Sequence, residues 1–425
     1  MKIVLFFSLI FIQIAYAEKL TLKELLLSSE TNSPLLKSNQ AKVSYADAAK
    51  NLANSYYFPV FNFTQRYAES TNPVQAFGMK LMSENFKMQD FAIDKLNNPD
   101  KAKAHQSSFN LFVPIDVFGA ISAQKKVIQD QKESAKFEGE WIKKEIKKNI
   151  KSLYYAYFSI DDLKNFFLNE KIFLTKIIKL YDSKNDDNKN RYLSYNQARI
   201  ILDSLQEGAE TLEIEKSKIL KELKYVTGVS DIELVRSEMT SQRPKDIISK
   251  GEERFDLISM QKYVNSLDAE VLKVKKNYLP ELSLFGQYNL SSEKLSERTG
   301  KDTTIGAQLS WTFGASLFQN VALSRAKSLQ AHYEYEDKDR RAKTDLSVQE
   351  EELEKLQTNL LHKENRHNIF VENKSILNFQ YQRGSVELYN LLDNFISYIQ
   401  NYSEYMKLKA EYQSKLALFE QNFKE

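Results

Sequence analysis

The chain contains no cysteine. This excludes a disulfide framework, a thiolate metal site and a lipid anchor on an N-terminal cysteine, so stability must come from packing. Glycine and proline are scarce as well, at 11 and 7 of 425 residues, which leaves few places for the chain to turn and implies helix in long pieces. Downstream of residue 17 no apolar run approaches the roughly 18 residues that a membrane-spanning helix requires. Charge of either sign is not in excess: 60 basic residues face 57 acidic ones, and the balance gives no electrostatic reason to expect nucleic acid.

What is present begins with Met1 to Ala17. Lys2 supplies a positive charge, Ile3 to Ile14 form an apolar run broken only by Ser8 and Gln13, and Ala15-Tyr16-Ala17 has the small-x-small pattern of a cleavage site. These features predict a secretory signal peptide over residues 1–17. A mature protein that meets a membrane without an apolar helix has one spanning structure left, a closed β-barrel, because lipid cannot satisfy open strand edges.

The chain aligns on itself. At an offset of 221 residues Pro34–Tyr67 matches Phe255–Tyr288 without gaps, with identities at Leu36/Leu257, Gln40/Gln261, Val43/Val264, Asp47/Asp268, Ala48/Ala269, Tyr57/Tyr278, Pro59/Pro280 and Tyr67/Tyr288. Farther on, Phe118-Gly119-Ala120 matches Phe313-Gly314-Ala315 at an offset of 195, so the first copy carries an insertion. Two structural repeats are expected, residues 18–228 and 229–425, each with a helix, two strands and then long helices.

Strands are expected at about 60–67, 108–117, 281–290 and 303–313, each alternating apolar with polar residues. Phe61, Phe63 and Tyr67 oppose Asn62, Thr64 and Arg66; Phe109 to Val117 and Ile305 to Phe313 alternate in the same way. Four strands of roughly ten residues match the length of tilted membrane strands but cannot close a barrel, for which about eight is the minimum. Several copies must therefore join, and a conduit favours a trimer of twelve strands. The long loop Ser70–His105 and the short loop Ser291–Asp302 should face the cell exterior, leaving the helices on the periplasmic side. Pro59, Gly119, Pro280 and Gly314 mark the barrel–helix junctions, proline by its fixed bend and glycine by its tolerance of unusual dihedrals.

Helical spacing runs through Ile121 to Tyr181, at Ile142, Ile146, Ile150, Leu153, Tyr157 and Ile160. The last segment places Leu388, Leu391, Phe395, Tyr398, Tyr402, Tyr405, Tyr412, Leu416 and Phe419 at steps of three and four, a coiled-coil seam interrupted at Lys409. Turns are expected near Asn185 to Asn190 and at Arg383-Gly384, and a helix stop at Gly228. Catalytic constellations are not found. His105, His332, His362 and His367 have no metal-ligand spacing, and His362 and His367 read as solvated positions on a charged helix. The charged runs Lys143–Lys151 and Glu334–Glu354 read as exposed faces with intrahelical pairs. Neither a Walker loop nor a nucleophile elbow is present, so no enzyme and no cofactor are expected.

With the repeat in place, the chain resembles the TolC-type outer membrane efflux proteins over nearly its whole mature length. The residues that carry this are Asn277-Tyr278-Leu279-Pro280-Glu281-Leu282-Ser283-Leu284, Trp311-Thr312-Phe313-Gly314, and Tyr381-Gln382-Arg383-Gly384-Ser385 followed by Asn390-Leu391-Leu392-Asp393. Asn72-Pro73-Val74-Gln75-Ala76-Phe77-Gly78 with Leu81 resembles an insertion of some members. The resemblance implies a mainly α protein with a membrane β-barrel portion: a homotrimer with a twelve-stranded barrel in outer membrane lipid and a coiled-coil helical tunnel in the periplasm. It implies a passive exit duct of a tripartite efflux pump or type I secretion system. Arg383, Gly384 and Ser385 would form a helix-tip turn docking a periplasmic adaptor and an inner-membrane RND or ABC transporter. Asp393 stands where the family has an acidic gate residue, and Asn390 where a second acid is common. The alternative is a periplasmic coiled-coil adaptor or scaffold, which would share the helices but not four strands of membrane length.

Overall fold

The computed structural model describes residues 18–182, 189–229, 232–237, 244–248, 253–297, 299–312 and 314–424. The expected signal peptide, Phe313, most of the turn at Asn185 to Asn190 and much of Ser230 to Glu252 lie outside them. The elements, in chain order, are β1 (Glu18–Leu20), α1 (Leu22–Asn32), α2 (Pro34–Ser55), β2 (Val60–Ser70), α3 (Pro73–Met82), α4 (Ile93–Asn97), β3 (Ala102–Ile115), α5 (Ala120–Asp182), α6 (Lys189–Thr227), β4 (Ile232–Leu234), α7 (Pro244–Ile248), α8 (Phe255–Lys276), β5 (Glu281–Ser292), β6 (Gly300–Ser310), α9 (Ser316–Gln382) and α10 (Leu388–Glu420). A 3₁₀ turn at Met88–Phe91 lies between α3 and α4. Helix dominates, and among the described residues no helix is long and apolar enough to cross a membrane.

Local chemistry accounts for the helix ends. Thr21 and Glu24 close a capping box on α1, the Thr21 amide donating to Glu24 at 2.7 Å. Pro34 opens α2, where a missing amide proton costs nothing. Gly228, at φ +70°, ends α6 in the left-handed region, as its position after Thr227 predicts.

The chain divides into two compact units. The first consists of the described residues of Met1–Gln40, Phe137–Leu257 and Asp337–Glu425. One of its cores gathers Leu25, Ile146, Ile150, Tyr154, Phe158 and Leu223 beside a parallel pair of three-residue strands, β1 and β4, too short for alternation to reveal them. Ile146 and Ile150 are buried as the spacing predicts, but the deep stripe continues through Tyr154 and Phe158 while Leu153 and Tyr157 are only half-buried. A straight helix drifts against a seam with steps of three and four, and packing on several partners selects the i+4 row here. A second core joins Leu174 and Ile177 of α5 and Leu205 of α6 to Leu391, Leu392 and Phe395 of α10. A third sets Tyr412, Leu416 and Phe419 against Leu353 of α9 and Ile247. The aromatic seam of α10 is therefore buried along most of its length, as expected.

The charged run Lys143–Lys151 departs from its expectation. Lys143 and Lys147 bind Glu30 at 2.9 and 3.3 Å, and Lys151 binds Glu420 at 2.5 Å. Lys144 is buried, donating to the carbonyls of Glu253 and Phe423 at 3.0 and 2.8 Å. These lysines tie α5 to other elements because both faces of the helix meet neighbours, which the local pattern of charge does not reveal. In Glu334–Glu354 the intrahelical expectation holds for Arg341–Asp337 and Lys343–Asp339.

The second unit, Ala41–Lys136 and Ile258–Glu336, holds the four-stranded antiparallel sheet, in the order β2-β3-β5-β6. Val264, Leu267 and Ala331 form a small helical core in it. The strands exist where alternation places them, but their bounds differ. β2 and β3 extend past the apolar alternation through Ala68↔Ala104, Glu69↔Lys103 and Ser70↔Ala102, because ladder pairing does not require apolar side chains. β3 stops at Ile115, since Asp116 instead accepts from the amides of Ile121 and Ser122 at 3.3 and 3.2 Å and starts α5. β6 ends at Ser310, opposite the first residue of β5, and Trp311 donates through Nε1 to the Tyr278 carbonyl at 2.9 Å. The segment between β2 and β3, read as a loop, contains α3 and α4.

Candidate conduit surfaces and gate

The sheet is two-faced by register. Phe61↔Leu111, Phe63↔Phe109, Phe109↔Tyr288, Val113↔Leu284, Ile115↔Leu282 and Leu282↔Leu309 place apolar residues on one face. Asn62↔Asn110, Thr64↔Ser108, Ser108↔Asn289 and Gln287↔Thr304 build the other, which turns apolar where Val60 and Phe285 flank Phe112 near the helical ends of the strands and carries the small pair Ala68↔Ala104 toward the opposite end. On the first face Ile305 is 82% exposed and Leu309 67%, far above what a soluble sheet would leave uncovered. The band ends in aromatic groups: the Tyr67 and His105 rings lie 4.6 Å apart toward one end, and Tyr57, Phe118 and Trp311 lie just beyond the strands at the other. β2 and β6 each pair on one side only, so both edges of the sheet are open.

The four junction residues lie in the links between strand and helix. Pro59 and Pro280 immediately precede β2 and β5, each after a turn closed by Phe58→Ser55 and Leu279→Lys276 amide bonds of 3.0 Å. Gly119 has φ +72°, and its carbonyl accepts from Lys276 Nζ at 3.3 Å; a Cβ there would stand 2.8 Å from that nitrogen. Gly314 differs. Its backbone is not left-handed and a Cβ would meet nothing closer than 3.6 Å, so this junction does not need the dihedral freedom argued for it.

Arg383, Gly384 and Ser385 form the link between α9 and α10. Gly384 has φ +73°, Gly384 N–H reaches the Tyr381 carbonyl at 3.0 Å and Ser385 N–H the Gln380 carbonyl at 2.9 Å, a Schellman-type close. The Arg383 guanidinium stacks 4.0 Å over Phe379. All three residues are exposed. Asn390 and Asp393 follow on the first turns of α10, one helical step apart and both exposed, while Leu388, Leu391 and Leu392 bury into the core. The turn and the two polar residues thus belong to one end of one helix pair.

Sequence reasoning missed a polar cluster beneath this end. Glu170, nearly buried, pairs with Lys374 and accepts from the Tyr398 hydroxyl at 3.4 Å. Burial first, then Glu170, raises the Tyr398 hydroxyl well above its ordinary range. His367, expected in solvent, stacks on Tyr398 at 5.4 Å and meets the Tyr402 ring at a tilt at 4.7 Å, and burial lowers its pKa against the opposing pull of Glu364. The signal was available: His367 lies at helical spacing from Phe370, and Leu377 and Tyr381 continue that apolar side of α9. His362 is exposed, as read.

No family profile matches the sequence, and no curated protein matches it. Solved structures do. The CmeC outer membrane channel of Campylobacter jejuni superposes with a TM-score of 0.79 at 14% identity, over 95% of this chain and 86% of that one. The outer membrane protein VceC of Vibrio cholerae gives 0.77 at 15%, over 94% of each chain. The MtrE outer membrane channel of Neisseria gonorrhoeae, in its open state, gives 0.77 at 9%, over 94% and 88%. With so few residues in common, what is shared is the path of the backbone, and the chain has the fold of the TolC-type outer membrane channel proteins.

Proposed function

We propose that the chain is one protomer of a homotrimeric exit duct in the outer membrane, passive and without enzymatic activity. The observation that carries the proposal is a four-stranded sheet with one apolar face, one polar face and two unpaired edges. β2, β3, β5 and β6 alternate in direction, so β6 of one copy can receive β2 of the next antiparallel, and the ring closes without a break in pattern. Three copies give twelve strands, a barrel wide enough for a lumen. The apolar face with its aromatic ends then meets outer membrane lipid and the polar face lines water. Leu361, Ile369, Ile376 and Phe379, left exposed on α9, support contact between copies.

Under the same reading residues 1–17 direct export, residues 18–228 and 229–425 are two copies of one plan, and the helices lie in the periplasm. Arg383, Gly384 and Ser385 present a rigid exposed turn suited to docking a periplasmic adaptor and, with it, an inner-membrane RND or ABC transporter that supplies energy. Three copies of Asp393 about the axis would make a negative constriction, flanked by the uncharged Asn390. Similarity of fold to solved outer membrane channels supports this reading over a periplasmic adaptor or scaffold. The test is purification of the mature chain in detergent followed by reconstitution in planar bilayers. A trimer that conducts ions is the expected result; a non-conducting monomer released from membranes by a salt wash would overturn it.

A further inference from the structure

Between β2 and β3 the chain folds a small lobe of α3, the 3₁₀ turn and α4. Asn72 caps α3 by accepting from the amides of Val74 and Gln75 at 3.1 and 3.3 Å, with Pro73 at its first position. The Phe86 ring stands edge-on to Phe77 at 4.8 Å and to Phe91 at 4.9 Å. Lys80 binds Asp90 at 2.7 Å, and Asp90 also accepts from the Lys87 amide at 2.8 Å. These contacts give the lobe a structure of its own.

Which face of the sheet the lobe covers follows from parity. α3 lies against β2, β3 and β6. Ala76 is fully buried, and so, nearly, are Ala102 and Ala104 of β3. A Cβ on Gly300 of β6 would fall 1.7 Å from the Met82 carbonyl oxygen, and Thr299 Oγ1 donates to the Ser83 carbonyl at 2.5 Å. Ala102, Ala104 and Gly300 share their parity with Ser108, Asn110, Asp302 and Thr304. They belong to the polar face, and small residues line it where α3 passes.

We infer that this lobe sits inside the lumen at the outer mouth of the barrel and narrows it, so that the duct carries a second constriction besides the one proposed at Asp393. The inference rests on the barrel reading above, which makes the polar face the lumen. Val74, Met88 and Ile93 of the lobe are 81%, 86% and 75% exposed, so under this inference each copy adds aliphatic side chains to the constriction. Such a constriction resists hydrated ions more than molecules with an apolar surface, because water is held poorly between aliphatic walls. The structure thereby assigns to the lobe a part in selecting cargo by size and polarity.

The test uses the full-length trimer in planar bilayers. Replacing Pro73–Asn97 by a short Gly-Ser linker should raise single-channel conductance by about two-fold or more. Met88→Cys needs no deletion and introduces a single thiol into a cysteine-free chain; a charged thiol reagent added from the outer side should block part of its current and leave the wild type unaffected. Either response supports the lobe as a constriction. A conducting wild type whose deletion and thiol variants both behave like it would overturn the inference and spare the barrel, whereas a wild type that neither trimerises nor conducts would fail the barrel itself.

Discussion

At the scale of single residues, charge placement separates the proposed gate carboxylate from groups that hold the fold. Asp393 is exposed beside the buried Leu391 and Leu392, so the proposed gate carboxylate can be exchanged without cost to the core. Asp393→Ala is expected to lower the cation preference of the reconstituted channel, read as a shift of the reversal potential in a salt gradient; unchanged selectivity would discard this gate assignment. His367 behaves in the opposite way. Its folded pKa is depressed by burial, so the neutral ring is the form that packs on Tyr398 and Tyr402, with Glu364 and Lys374 as the charged neighbours acting on it. A depressed folded pKa gives stability that is complete above the unfolded value of about 6.5 and is lost as pH falls through the folded value. Thermal melts of the wild type should therefore fall more steeply below that pH than melts of His367→Phe, and parallel curves would refute the linkage.

At the scale of elements, Gly228 and Gly384 stand where a helix must stop. Gly384 occupies the left-handed region with open space around its Cα, so alanine there meets strain but no clash. Gly384→Ala should cost about 1 kcal/mol of stability, measured by denaturant unfolding, and should loosen the α9–α10 link that offers Arg383 and Ser385 to a partner. The strands make a different demand. Ile305 sits mid-strand on the apolar face and Thr304 beside it on the polar face. Ile305→Lys should weaken membrane insertion by about 2–4 kcal/mol while Thr304→Lys costs much less, a contrast that heat-resistance of the detergent-extracted oligomer can read. Equal effects would mean that the two faces are not lipid and water.

For the whole molecule, the open edges of β2 and β6 are the decisive feature. A long, uncovered, apolar-faced edge invites aggregation unless another chain pairs with it, and a ring of copies removes every edge at once. The helices ask for the same solution: α10 buries its seam within the chain, whereas much of α9 keeps Leu361, Ile369 and Phe379 uncovered. On the proposed reading assembly and membrane insertion are coupled, and agents that prevent trimer formation should leave the chain aggregation-prone rather than as a stable soluble protomer.

Much of this was legible in the primary structure, because it rests on periods and on residues with unusual dihedral range. Alternation located the four strands, spacing of three and four located α5 and the seam of α10, and Gly228 and Gly384 marked stops that the backbone confirms with positive φ. Such signals are local, and a local rule reads them. What only the tertiary structure decided depends on partners distant along the chain. The three-residue pair β1–β4, the burial of Lys144 against the Phe423 carbonyl, the stacking of His367 on Tyr398 and the seating of α3 on the polar side of the sheet each join segments whose encounter no period encodes. A periodic pattern specifies which face of an element is apolar, but only the packed chain determines what meets that face.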